Sequence, residues 1–340
     1  MDKVVEDLLN STVNYEDFSF ALNVPQIQPI HVATLVFYGL VFVLGVPGNA
    51  LVVWVTAFGM PRTVNTILFL NLSLADLLCC LFLPILMVPL AHDDHWHFGA
   101  AACTLLKGMF HLLMYCSVLL LVVISVDRCM LVSLPIWCQN HRRPRVAVWA
   151  CVGAWLLALF ATVPELLYTR QVVFGDKKEC LGRRSPVQSQ VIVGFRLVFG
   201  FLLPFLAIVV SHATVYMRAN RMAGRIRSKR TLKVIVAVVI SFFFCWLPLH
   251  ILDLLITMTR RNSLHRANIN ISHSLALCLA YFNSCINPIL YVCLGRDFRT
   301  SMNRSLRSHF HFINDEPTCQ QTTTAHNSKS SPMTGEMTDV

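Results

Sequence analysis

The chain has 340 residues, 55% hydrophobic and only 14% charged, with a formal net charge of +10 and a mean hydropathy of +0.59. Predominantly apolar runs recur at 32–58, 64–90, 100–133, 145–167, 190–218, 231–257 and 272–294, each long enough to cross a hydrocarbon core of about 30 Å as a helix. The pattern predicts an all-α membrane protein, a seven-helix bundle over 32–294. It leaves no room for a soluble catalytic domain, and the basic residues are too scattered for a nucleic-acid-binding stripe.

Residues 1–31 form an acidic tail, with Asp2, Glu6, Asp7, Glu16 and Asp17 against Lys3. The tail has no apolar core of a cleavable signal, so the first span is expected to act as its own insertion signal with the N-terminus outside. Asn10-Ser11-Thr12 is a glycosylation sequon on that side. Tyr15, followed by Glu16 and Asp17, resembles a tyrosine-sulfation site. Such a tail steers a basic protein or peptide ligand at long range; the plainer alternative is a disordered, solubilising segment.

Lys and Arg in the loops test this orientation. The loops expected in the cytosol carry Arg62, then Arg142, Arg143 and Arg145, then a basic stretch from Arg218 to Lys233, then Arg296, Arg299, Arg304 and Arg307. The outer segments carry fewer cations. Of the 13 cysteines, Cys103 and Cys180 are expected on the outer side, where a disulfide suits the oxidising compartment. The others in the spans read as small apolar packing residues.

Polar groups at membrane depth are costly and mark function. In chain order they are Asn49; Asp76, in Asn71-Leu-Ser-Leu-Ala-Asp76; Asp127-Arg128 closing the third span; Trp155; Pro204; Cys245-Trp246-Leu247-Pro248; and Asn287-Pro288-Ile289-Leu290-Tyr291. A proline inside a membrane helix removes a backbone hydrogen bond and kinks the axis. Pro204, Pro248 and Pro288 thus place three hinges around one core, which suits a switch between packings.

With one distinctive motif per helix, in order and spacing, the chain resembles a rhodopsin-like, class A G-protein-coupled receptor over nearly its whole length. The resemblance implies that the Asp127–Arg128 pair holds the resting state and that Arg128 then meets the heterotrimeric G protein. It implies a switch at Trp246, Pro248, Asn287, Pro288 and Tyr291. It also implies an allosteric sodium ion among Asp76, Ser117, Asn283, Ser284 and Asn287, the alternative being a water-filled polar network. Oxygen ligands suit a hard cation. Two positions depart from the family. Cys129 replaces its usual tyrosine, and His212 stands where a tyrosine normally meets the Tyr291 position on activation, so weaker or pH-sensitive stabilisation of the active state is expected.

Toward the outside, Arg170 and Arg196 opposite Asp253 are expected to clamp the carboxylate and a basic side chain of an inserted peptide end; an internal Arg–Asp pair is the alternative. His273 lies near the outer end of the seventh span. Lys107 occupies the outer half of the third span, where an amine ligand would want a carboxylate. The seventh span has no lysine for a retinal Schiff base.

Within class A, several stretches resemble chemoattractant receptors, and among them the complement anaphylatoxin group. They are Gly48–Phe58, Pro135–Asn140, Thr231-Leu-Lys-Val234, Ser241-Phe-Phe243 and His95-Trp96-His97-Phe98-Gly99. The likeness implies a plasma-membrane receptor coupled to inhibitory-type G proteins and driving chemotaxis. A decoy that binds without signalling is the alternative, as is a receptor for another chemotactic peptide. Intact Arg128, Asn287 and Tyr291 favour signalling. Enzymatic activity is not expected.

Residues 295–309, opening on Arg296-Asp297-Phe298-Arg299, are predicted to form an amphipathic helix on the membrane surface. The Ser/Thr-rich tail 310–340 carries Thr322, Thr323, Thr324, Ser328, Ser330 and Ser331. Phosphates added there by receptor kinases would offer charge to arrestin.

Overall fold

The computed structural model describes residues 28–182, 184–222, 225–259, 265–294 and residue 300. Seven helices in it are long and apolar enough to cross a membrane. In lipid no water satisfies the backbone, so each crossing segment must close its own hydrogen bonds as a helix.

The first span is α1 (Pro29–Trp54), which runs into a π-helical turn at Val55–Gly59. The second comprises α2 (Val64–Leu81) and α3 (Leu83–Ala91). Thr63 starts α2 with a reciprocal cap, its hydroxyl accepting from the Thr66 amide while its own amide donates to the Thr66 hydroxyl. The break at Phe82 falls inside the run 64–90 that reads as one continuous span. Its cause is Pro84, whose ring removes the amide that would bond the Cys80 carbonyl.

The third span, α4 (Gly99–Ser133), is the central post: 56% of its most apolar window is buried, against 28% for the first, second and fourth spans. It leads into α5 (Pro135–His141) and the fourth span, α6 (Pro144–Tyr168). An antiparallel hairpin follows, β1 (Thr169–Phe174) paired with β2 (Lys177–Gly182) in the register Thr169↔Gly182 to Phe174↔Lys177. This two-stranded sheet lies in the loop between the fourth and fifth spans, outside the helical bundle that the sequence predicts. Outside lipid, Val172 and Val173 favour extended backbone, and Gly175 turns it at φ 57°.

The fifth span joins α7 (Pro186–Leu197), a π turn at Val198–Leu202 and α8 (Leu203–Met222). The sixth lies in α9 (Arg225–Met258) and the seventh in α10 (His265–Leu294). The helices close a ring: α1 packs on α2 and α10, α10 on α9, α9 on α8, and α4 on α2, α6 and α8. The core between them holds Leu72, Leu113, Leu120, Phe201, Ile208 and Phe242. Trp149, Leu156 and Phe160 point outward, as lipid-facing side chains must.

Candidate functional site

At the hairpin end, Cys103 at the start of α4 is bonded to Cys180 in β2, with Cα atoms 5.5 Å apart. The expected disulfide is therefore formed, and it ties the hairpin to the central helix. Buried Trp96 fastens the preceding loop: its amide donates to Lys178 O at 2.6 Å and its indole to Gly99 O at 2.7 Å. Lys177 reaches Asp93 at 3.2 Å and Glu179 at 3.1 Å. Partial burial works against the Lys177 charge, yet the two carboxylates hold its pKa above the ordinary lysine value.

Beneath the hairpin lies a cavity of about 1160 Å³. Its floor is a network of buried charges. The Arg196 guanidinium donates to Asp253 Oδ2 at 2.8 Å and to Glu165 Oε1 at 2.6 Å. Glu165 also accepts from Arg184, in the segment between hairpin and α7, and lies 3.6 Å from His111 Nε2. Asp253 in turn meets His273 Nε2 at 3.0 Å. The fourth, fifth, sixth and seventh spans are thus joined through two carboxylates, and Lys107 lines the same cavity.

Of the clamp read from sequence, Arg196, Asp253 and His273 come together, whereas Arg170 does not join them. The fourth helix ends at Tyr168, and strand alternation then turns Arg170 outward. Its guanidinium caps carbonyls at Leu166 and Thr169, and it does not line the cavity. Its place is taken by Arg184. Glu165, the acid shared by both arginines, escaped the sequence reading, although a carboxylate inside an apolar span is a direct signal.

Deeper in, Phe201 stacks on Phe242 with centroids 5.8 Å apart and planes 4° apart. Trp246 lies beside His250, with centroids at 6.4 Å. Asp76 is 1% exposed. Its Oδ1 accepts from Ser117 and Ser284, each at 3.0 Å, and its Oδ2 from Asn287 at 2.7 Å. Asn49 bridges the first and seventh spans through Ser284 O at 2.9 Å, and Trp155 donates to Asn71 at 3.2 Å. Asn283 is buried nearby, its amide nitrogen without a hydrogen-bond partner among the described residues. Four of the five residues read as one polar cluster therefore share hydrogen bonds.

At the far end, the Asp127 carboxylate is taken by Arg142, not by its neighbour Arg128. Arg142 Nε donates to Oδ1 at 2.8 Å and Nη2 to Oδ2 at 3.0 Å, and Nη2 also reaches Asn65 Oδ1 at 2.5 Å. This corrects the expected Asp127–Arg128 pair: successive residues on a helix point about 100° apart, while a guanidinium from the next loop matches the carboxylate with two parallel bonds. His212 Nε2 meets Ser125 Oγ at 3.3 Å, linking α8 to α4. Pro248 and Pro288 sit inside α9 and α10. The side chain of Tyr291 lies outside the described residues, as do Asn10, Tyr15, Asp17, Thr322, Thr323, Thr324, Ser328, Ser330 and Ser331. The predicted helix 295–309 also lies outside them, apart from residue 300.

A seven-span ring with a charged cavity at one end, a polar core at mid-depth and an Asp-Arg pair at the other end is the construction of a transmembrane receptor. The family "7 transmembrane receptor (rhodopsin family)" matches residues 48–291, and the chain belongs to it: it is a multi-pass membrane receptor and not an enzyme. Among its relatives, it is similar to the C5a anaphylatoxin chemotactic receptor 1 of Oncorhynchus mykiss, with 58% identity covering 87% of each chain. That of Danio rerio is 54% identical, covering 85% of this chain and 84% of the relative. That of Homo sapiens is 42% identical, covering 89% and 86%.

Proposed function

We propose that this receptor binds a basic complement-derived chemotactic peptide of the C5a type at the hairpin end, facing outside, and signals through inhibitory-type heterotrimeric G proteins at the other. The observation that carries the reading is the buried Glu165–Arg196–Asp253 chain at the floor of a cavity wide enough for a peptide end. A ligand carboxylate competes with Glu165 for Arg196, and a ligand cation competes with Arg196 for Asp253. Such exchange alters bonds that join four spans, so a ligand with different affinity for two packings shifts their populations. The likeness to C5a receptors over more than four-fifths of the chain supports the ligand class.

At the inner end, Arg142 holds Asp127, which leaves Arg128 available to the G protein. The oxygens of Asp76, Ser117 and Ser284 suit a hard cation. Each hydroxyl that donates to Asp76 keeps lone pairs for a ligand, so these residues would hold sodium, whose charge would favour the resting packing. Phosphorylation of the tail residues Thr322 to Ser331 would recruit arrestin; sulfation of Tyr15 and glycosylation of Asn10 would complete the outer surface.

The test is ligand-driven suppression of cyclic AMP in cells expressing the chain, with and without pertussis toxin, using a species-matched C5a fragment. Toxin-sensitive suppression is expected. Binding without any G-protein response would replace signalling with a decoy role, and absence of binding would overturn the ligand class.

A further inference from the structure

Among the described residues, the lysine and arginine side chains that line the cavity beneath the hairpin are Lys107, Arg184, Arg196 and Arg266. The arginines are already engaged. Arg196 is buried and divides its guanidinium between Asp253 at 2.8 Å and Glu165 at 2.6 Å. Arg184 is bound to Glu165, and Arg266 donates to the carbonyls of Ile256 and Thr259. Lys107 differs from them. It is exposed, and among the described residues no ion pair or hydrogen bond reaches its ammonium. Its backbone carbonyl accepts from His111 Nδ1 at 2.8 Å.

The carboxylates of the cavity wall have partners of their own. Glu179 lies 3.1 Å from Lys177 and Asp94 lies 3.4 Å from His31, while Glu165 and Asp253 share Arg196. The helix explains why Lys107 stands among them unpaired. Cys103, Lys107 and His111 are spaced four residues apart and fall on one stripe of α4, each about 6 Å below the last. Cys103 is tied to the hairpin, and His111 lies 3.6 Å from Glu165. Lys107 therefore springs from the wall between the hairpin and the charged floor, and the charge that acts on it most strongly is that of Glu165.

We infer that Lys107 is the anchor for the terminal carboxylate of the peptide that enters this cavity. The inference rests on the peptide-receptor reading given above. A peptide end brings either an α-ammonium or an α-carboxylate, and an unpaired cation repels the first and holds the second. A carboxylate that reaches Lys107 breaks no existing pair. One that reaches Arg196 must displace a buried carboxylate, which is strongly unfavourable while that charge stays uncompensated. Lys107 therefore receives the ligand end first and sets it beside Glu165, the acid with which it competes for Arg196. The residue types suit this division. An ammonium on a flexible stem captures a group in several poses, whereas the planar fork of a guanidinium fixes its orientation. A lysine that only reaches for cavity water would instead show no preference among ligand end groups.

The experiment is competition binding on membranes of cells expressing the full-length receptor. The probes are a species-matched C5a fragment ending in a free carboxylate and the same fragment ending in a carboxamide. On the parent receptor the amide should bind about ten- to hundredfold more weakly, the worth of one charge-assisted hydrogen bond. Lys107→Gln removes the charge and keeps a polar end. It should weaken the acid form by the same factor and bring the two forms within about twofold of each other, while Lys107→Arg should restore the preference for the acid. Lys107→Met makes the same comparison if the glutamine variant fails to reach the surface. An acid preference undiminished in Lys107→Gln, or equal binding of acid and amide to the parent, would overturn the anchor and leave the ligand reading in place. Binding of neither form to the parent would overturn that reading and the anchor with it.

Discussion

Arg196→Met and Asp253→Asn, made singly and together, measure the coupling at the cavity floor. In Arg196→Met, Asp253 keeps, among the described residues, its hydrogen bond to His273 at 3.0 Å, while Glu165 keeps Arg184 and the more distant His111. Removing one member of a buried ion pair costs about 3–5 kcal/mol; the remaining partners place this variant at the lower end, about 3 kcal/mol. Asp253→Asn preserves size and an acceptor, and Arg196 retains Glu165 at 2.6 Å. Its loss is that of one charge-assisted hydrogen bond, about 1.5–3 kcal/mol. Because both single changes break the same 2.8 Å contact, the double variant should cost about 1–3 kcal/mol less than their sum. Equilibrium unfolding in denaturing detergent, followed by a thiol-reactive dye on buried Cys80, Cys116 and Cys245, reads these differences. Additivity within about 0.5 kcal/mol would refute the claim that the two groups act as one element.

Other outcomes follow from the same contacts. Arg142→Ala leaves the Asp127 charge unpaired beside Arg128; agonist-stimulated nucleotide exchange should fall about fivefold, a change of about 1 kcal/mol, and Arg142→Lys should not fully restore it because lysine lacks the two-pronged fit. Cys180→Ser frees the hairpin over the cavity and should cost about 2–4 kcal/mol of stability together with ligand binding; Cys103→Ser should match it, and the double variant should be no worse. Gly45→Ala places a Cβ at 2.5 Å from Cys80 Sγ and 3.2 Å from Cys285 Sγ, so surface expression should drop, in line with about 1–3 kcal/mol of overpacking. Asp76→Asn should abolish any difference in agonist affinity between sodium chloride and choline chloride buffers.

The seven spans were legible because a helix in lipid announces itself by length and hydropathy, without help from its neighbours. Asp76 with Ser117, Ser284 and Asn287 was legible for a related reason: costly polar groups at matching depth must find one another. The break at Phe82 was missed because hydropathy is blind to a lost amide, although Pro84 stood in plain view. The hairpin was missed because a loop's pairing depends on where the disulfide and the fourth helix deliver its ends.

The order of residues by itself determined the class of this protein, its seven crossings and the disulfide, since each rests on local composition or on which side of the membrane a residue falls. Only the tertiary structure decided which charges meet. Arg196, Glu165, Asp253 and Arg184 come from separate elements, and a residue or two of helical rotation decides whether a guanidinium faces a carboxylate or lipid. Arg170 faces away because the fourth helix ends before it and strand alternation turns it outward, and Arg142 reaches Asp127 across a loop that spacing alone does not place.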